Sequence, residues 1–251
     1  MTEPGAHPDR SRHAGALRKI ASLGYTACVL ATGVLIPEAQ AVSPVRQLTV
    51  GVPAALPGYE VLDDSHLKIN DPAKRSLMDC VSGKLNAQIT WLSYPTRRVI
   101  QMLQAQELDM IFPMGFTAER AASMLQSSPM WQNPDVLVSM RPVDMRDKSL
   151  RIVARLGSPQ HADYLAEGYA SVSGAYSYEE LPRLLARAQV DVVVVPRSIY
   201  GEQKNLWPPG SIVTDGRSRM TGIYLSKQDP KGLLKPLNES IGRCKASVGK
   251  K

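Results

Sequence analysis

The residues best suited to chemistry in this chain sit in one short stretch. An apolar run at 110–114 follows Asp109 and breaks at Gly115. Phe116 and Thr117 come next, and Arg120 stands three residues beyond the threonine. Read as a strand, a tight turn and a helix start with Thr117 as N-cap, residues 115–117 present backbone N–H groups and the positive end of a helix dipole. The Arg120 fork adds charge and paired donors, a combination suited to a carboxylate or another small anion. The plain alternative is an ordinary strand-to-helix turn with Arg120 in solvent.

Other chemistry is sparse. Beyond residue 41 the histidines are His66 and His161, far apart and without metal-ligand spacing, so neither a metal nor a cofactor is expected. Cys80 and Cys244 each fall on the apolar stripe of a predicted helix. In an oxidising compartment they can bridge, and otherwise they are two buried thiols.

The elements that must position these residues are legible from periodicity. Strands are predicted at 47–52, 89–92, 109–114, 135–140, 150–156, 170–173, 191–196 and 220–226. Between them, helical spacing appears from Asp71 and Pro72, an N-cap with proline at N1, to Gly83. It returns at 97–106, 118–125 and 159–167, after Ser177 and Glu180 as a capping box, and after Asp229 and Pro230. Residues 53–70 and 201–218 read as irregular or loop-rich, and the charged segment 141–148 reads as a junction. The alternation of strand and helix predicts an α/β fold of two units, each a largely parallel sheet with helices on both faces.

The start of the chain reads as an export signal. Arg10, Arg12, Arg18 and Lys19 precede a largely apolar run of 17 residues at 20–36, and Ala39, Gln40 and Ala41 form a small-x-small cleavage pattern. The mature chain would begin near Val42 in the periplasm; the alternative is an uncleaved anchor, for which the run is at the short end. Residues 1–41 hold four of the 30 Lys/Arg and three of the 23 Asp/Glu, so the remainder carries a net charge of +6. These charges are scattered and no nucleic-acid motif is present, which points away from nucleic acid and toward a small anionic ligand.

In the order of its local phrases the chain resembles the family 3 extracellular solute-binding proteins, the polar amino-acid receptors of ABC importers. Leu48 to Gly51 looks like the opening strand. Leu103 to Asp109, followed by Thr117, Arg120, Ser128 and Pro129, looks like the core phrase. Gly157 and Ser158, the Ser177 box, and Val190 with Asp191 match the second lobe, and Gly222, Lys227, Asp229, Pro230 and Asn238 match the closing phrase. The resemblance implies a two-lobe, periplasmic-binding-protein-like (type II) fold with a central cleft. Lobe one would comprise 42–141 plus 219–251, and lobe two 142–218. The predicted helices of Cys80 and Cys244 would then share a lobe, which makes their bridge geometrically feasible.

The resemblance also implies that Arg120 grips a ligand carboxylate. Departures from the family pattern bear on the rest of the ligand. Gly115 replaces a hydroxyl residue, Pro196 stands where an acid holds the ligand ammonium, and residues 53–70 lack the usual glycine-and-acid phrase. An ammonium buried without a partner is costly, and Arg197 beside Pro196 would repel it. Arg197 facing Arg120 across the cleft would instead clamp an anion, unless it is a surface residue at a strand end. Phe116 is the expected aromatic wall of the ligand site, whereas Trp91 is expected in the core.

The expected function is capture of a small anionic or carboxylate-bearing solute for an ABC importer by a monomer. Its partners would be the solute and an ABC permease or another membrane or periplasmic protein, with no nucleic acid. The alternative is a sensor or accessory protein of the same fold that docks on a membrane or enzyme partner. The family also carries dehydratases, but only Glu119 and Glu202 offer themselves as acid or base, and no Ser-His-Asp or Cys-His grouping is visible. No catalytic residue is therefore assigned, and the chain is not expected to be an enzyme.

Overall fold

The computed structural model describes residues 45–248. The expected export segment, residues 1–41, lies outside them. Parallel pairs form one end of the main sheet: β1 (Arg46–Pro53) runs beside β4 (Ala87–Tyr94) on one flank and β5 (Met110–Gly115) on the other. The other end is also parallel, with β8 (Arg151–Arg155) between β9 (Ser171–Ala175) and β10 (Val192–Pro196). Between them lie two long antiparallel strands, β7 (Trp131–Ser139) and β11 (Ile212–Ser226), giving the order β4-β1-β5-β11-β7-β10-β8-β9. The expectation of largely parallel sheets therefore holds at the ends and fails in the middle, where every pairing from β5 to β10 is antiparallel.

Alternation of side chains along the strands builds a core on each face. In β5, Met110 and Phe112 point into a cluster with Val50, Trp91 and Ile241, while Ile111 points into another with Val99, Leu103 and Tyr224. In β10, Val193 and Val195 join Leu181, Leu185 and Trp207, while Val192 and Val194 join Ile152, Tyr164 and Tyr169. The helices that cover these faces are α1 (Pro72–Lys84), α2 (Thr96–Gln104), α4 (Pro159–Ala166), α5 (Glu180–Ala186) and α7 (Leu234–Val248). Two are capped by side chains, the first as its sequence predicts. The Asp71 carboxylate accepts from the N–H groups of Ala73 and Lys74, and the Ser158 hydroxyl accepts from His161.

Several local expectations are corrected. Residues within 53–70 are not irregular: β2 (Tyr59–Asp63) and β3 (His66–Ile69) form a hairpin. Helix α3 (Ala118–Ser123) stops short, and β6 (Met124–Gln126) then pairs with β11. Residues 212–218, expected to be loop, are strand, because they pair with β7. Ser177 forms no capping box. Helix α5 starts at Glu180, whose carboxylate instead accepts from the Tyr176 N–H at 2.9 Å. Asp229 accepts from Leu233 and Leu234 N–H, so the last helix begins at Leu234. Val143 and Met145 pack against the core that contains Leu150, and the chain passes between the ends within β7 and β11.

A disulfide joins Cys80 of α1 to Cys244 of α7, with Cα atoms 5.9 Å apart and 164 residues of sequence separation. Closing so long a loop restricts the unfolded chain and is worth about 2–5 kcal/mol. The double variant Cys80→Ser/Cys244→Ser should therefore melt roughly 5–15 °C lower than the oxidised protein. Differential scanning calorimetry checks this, and equal melting temperatures would show that the bridge contributes nothing.

Candidate functional site

The C-terminal ends of the parallel strands at both ends of the sheet converge on one cavity of about 100 Å³. From β5 and the turn beyond it come Pro113, Met114, Gly115 and Arg120. From the other end come Arg155, Ser158, Gln160, Tyr178 and Pro196. The long middle strands contribute Trp131, Asn133, Arg219 and Thr221. The lining includes four cations, Lys74, Arg120, Arg155 and Arg219, and among the described lining residues there is no Asp, Glu or His.

Two of the four cations are already compensated. Lys74 lies 3.3 Å from the Asp71 carboxylate. Arg219 pairs with Asp135 at 2.7 Å and with Asp163 at 2.9 Å. Asp135 is buried and also accepts from the Gln160 amide at 2.6 Å. Burial pushes its carboxyl above the usual range, while Gln160 and Arg219 pull the other way.

Arg120 and Arg155 have no carboxylate partner among the described residues. Arg120 donates from its two terminal nitrogens to the carbonyls of Gly115, at 2.8 Å, and Gly157, at 3.2 Å. Gly157 can turn its carbonyl this way because its φ of +72° suits a residue without Cβ. Burial holds the Arg120 guanidinium below its ordinary pKa, and the like charge of Arg155 pushes in the same direction. Arg155 donates one bond, to the Thr96 hydroxyl at 3.1 Å, and its guanidinium carbon lies 5.3 Å from the Tyr178 ring centroid. Its Nε is buried without a partner. Burial likewise raises the Tyr178 hydroxyl, against the two neighbouring arginines.

The expected site residues are thus dispersed. Gly115 and Arg120 line the cavity, and Phe116, Thr117 and Arg197 do not. The Phe116 ring packs edge-on against Tyr224 at 5.4 Å, and its N–H is spent on the Met220 carbonyl. The Thr117 hydroxyl caps α3 by accepting from the Arg120 N–H, and its own N–H donates to the Tyr224 hydroxyl. The backbone donors expected at Phe116 and Thr117 are therefore consumed by the fold. Arg197 begins the short helix α6 (Arg197–Glu202) and pairs with Asp215 at the surface, so the expected second half of an arginine clamp points elsewhere. Of the two acid–base candidates, Glu119 is exposed and Glu202 bonds to Asn70 at 2.8 Å, outside the cavity. Arg155 escaped notice, although it lies near the end of a predicted strand just before the Gly157 turn, in a strand–turn–helix unit of the kind that drew attention to residues 115–120.

The turn that carries Arg120 leans on Gly222. A Cβ there would meet Phe116 Cζ at 2.8 Å and Ser127 Oγ at 2.9 Å. Gly222→Ala should therefore displace the Phe116 ring at a cost of about 1–3 kcal/mol. In a thermal melt this lowers Tm by roughly 2–10 °C, and an unchanged Tm would show that the ring has room to move.

The sequence matches the family model for bacterial extracellular solute-binding proteins, family 3, over residues 48–249. No curated protein matches it. Among solved structures, a mutant of ArgBP from T. maritima is similar with a TM-score of 0.64 at 18% identity, over 80% of this chain and 90% of that one. An ABC uptake transporter substrate-binding protein from Streptococcus pneumoniae with bound histidine has a TM-score of 0.65 at 18% identity, over 78% and 86%. An ancestral amino acid-binding protein, a precursor of cyclohexadienyl dehydratase, has a TM-score of 0.62 at 16% identity, over 81% and 92%. These similarities show the two-lobe periplasmic-binding-protein fold, and the family match shows that the chain belongs to the bacterial extracellular solute-binding proteins, family 3.

Proposed function

We propose that this protein captures a small anionic or carboxylate-bearing solute in the cavity and delivers it to the permease of an ABC importer. One observation carries the proposal: two guanidinium groups without acidic partners, Arg120 and Arg155, border a cavity whose described lining holds no acid. A solute anion supplies the missing counter-charge. Pro196 in the lining supports a ligand without an ammonium, because no carboxylate is present to receive one. Besides the arginines, the titratable groups among the described lining residues are Lys74, which pairs with Asp71, and Tyr59 and Tyr178, whose hydroxyls burial holds protonated; this supports binding rather than turnover. The basic, largely apolar start and the small-x-small pattern at 39–41 support export and cleavage, with the mature protein acting in the periplasm.

The two lobes of this proposal follow the hydrophobic clusters. The first runs from the mature N-terminus to the middle of β7 and resumes within β11. The second is the stretch between, with the crossings located by Trp131 and Val136 in β7 and by Val213 and Ile223 in β11, which pack in different clusters.

Thermal-shift measurements on the mature protein test the proposal, with a panel of carboxylates, inorganic anions and amino acids. A ligand at one hundred times its Kd should add about 2.7 kcal/mol, raising Tm by roughly 5–11 °C. Arg120→Ala should remove most of that shift. If no anion raises Tm, or if Arg120→Ala leaves the shift intact, the cavity does not serve this purpose.

A further inference from the structure

Building on the anion capture proposed above, we propose that the ligand is a compact dianion, with Arg155 the residue that demands the second negative charge. Charge balance comes first. Lys74 is offset by Asp71, and Arg219 by Asp135 and Asp163, which leaves Arg120 and Arg155 as two positive charges facing one cavity. The like charge of Arg155 pushes the Arg120 pKa further down than burial alone. A monoanion would leave one guanidinium uncompensated in a half-buried site, and an uncompensated charge there is expensive. A dianion neutralises both.

Donor capacity leads to the same class. A guanidinium offers five N–H donors. Arg120 spends two, on Gly115 and Gly157, and Arg155 spends one, on Thr96, so seven remain. One carboxylate offers about four lone-pair positions. Two carboxylates, or one tetrahedral oxyanion, match the remaining donors far better. Arg155 Nε, buried and without a partner, is the donor most in need of an acceptor. Arg155 is also preorganised. The Tyr178 ring supports its guanidinium plane and Thr96 fixes one terminal nitrogen, so a ligand need not order it. The two arginines sit on opposite sides of the crossing strands, Arg120 in α3 and Arg155 at the end of β8, and a dianion therefore ties the two sides together.

The test is isothermal titration calorimetry on the mature protein at constant ionic strength, since exposed charge effects are screened by salt. The probes are succinate and glutarate, inorganic phosphate and sulfate, the monoanions propionate and butyrate, and the amino acids glutamate and arginine. The expected result is that a dianion binds at least about tenfold more tightly than the monoanions, consistent with an added charge pair at short range. The dicarboxylate and inorganic arms tell which dianion chemistry is taken. Arg155→Gln, which keeps hydrogen-bond donors without the charge, should bring the dianion to the affinity of the monoanions. Arg155→Lys, which keeps the charge, should preserve the preference. Equal affinity of monoanions and dianions in the unaltered protein, tighter binding of an amino acid, or an unchanged preference in Arg155→Gln would overturn the dianion assignment while leaving anion capture in place. Binding of none of these probes would overturn both.

Discussion

A buried ion pair fastens the two strands on which the architecture turns. β7 and β11 are the passages between the two ends of the sheet, and Arg219 of β11 reaches Asp135 of β7 at 2.7 Å, where the acid is 1% exposed. Gln160 and Asp163 of α4 join the same group, so one helix is drawn against both crossing strands. Removing one member would leave a buried charge without its partner, at a cost of about 3–5 kcal/mol. The constraint also reaches the cavity. Gly216 lies against Asp135, where a Cβ would come within 3.1 Å, and Arg219 and Gln160 border the cavity directly. Arg155 and Tyr178 line the same cavity as these two members of the network.

The sequence discloses the elements whose side chains alternate or recur at helical spacing. Leu48, Val50 and Val52 mark β1, the valines of 192–195 mark a strand buried on both faces, and Asp71 with Pro72 marks a helix start. It conceals what tertiary pairing creates. Residues 214–218 are polar and largely exposed, so their strand exists because β7 lies beside them. The β2–β3 hairpin was visible in principle, since Tyr59 and Val61 alternate with Glu60, and Leu67 and Ile69 with Lys68. The middle of the sheet is antiparallel because long strands cross there, a relation no local pattern encodes.

For the site, spacing drew attention to Arg120, which lines the cavity, and could not follow its neighbours. Whether Phe116 faces ligand or core depends on Tyr224, more than a hundred residues away, whose ring and hydroxyl absorb both Phe116 and the Thr117 N–H. Arg197 is diverted by Asp215, and Arg155 is retained by Thr96 and Tyr178. Cations of the same type thus meet different fates. The difference lies in whether an acid from another strand reaches them, which is a property of register and not of composition.

The bridge between Cys80 and Cys244 has a topological consequence. It encircles nearly everything from α1 onward, including both crossing strands and the whole far end of the sheet, within one covalent ring. A protease that cuts a surface loop inside that ring, such as the exposed segment around Arg146 or the turn at Gly210, opens a circle without producing two separable chains. The fragments stay tethered at α1 and α7, where Cys80 and Cys244 lie in or against the first core cluster.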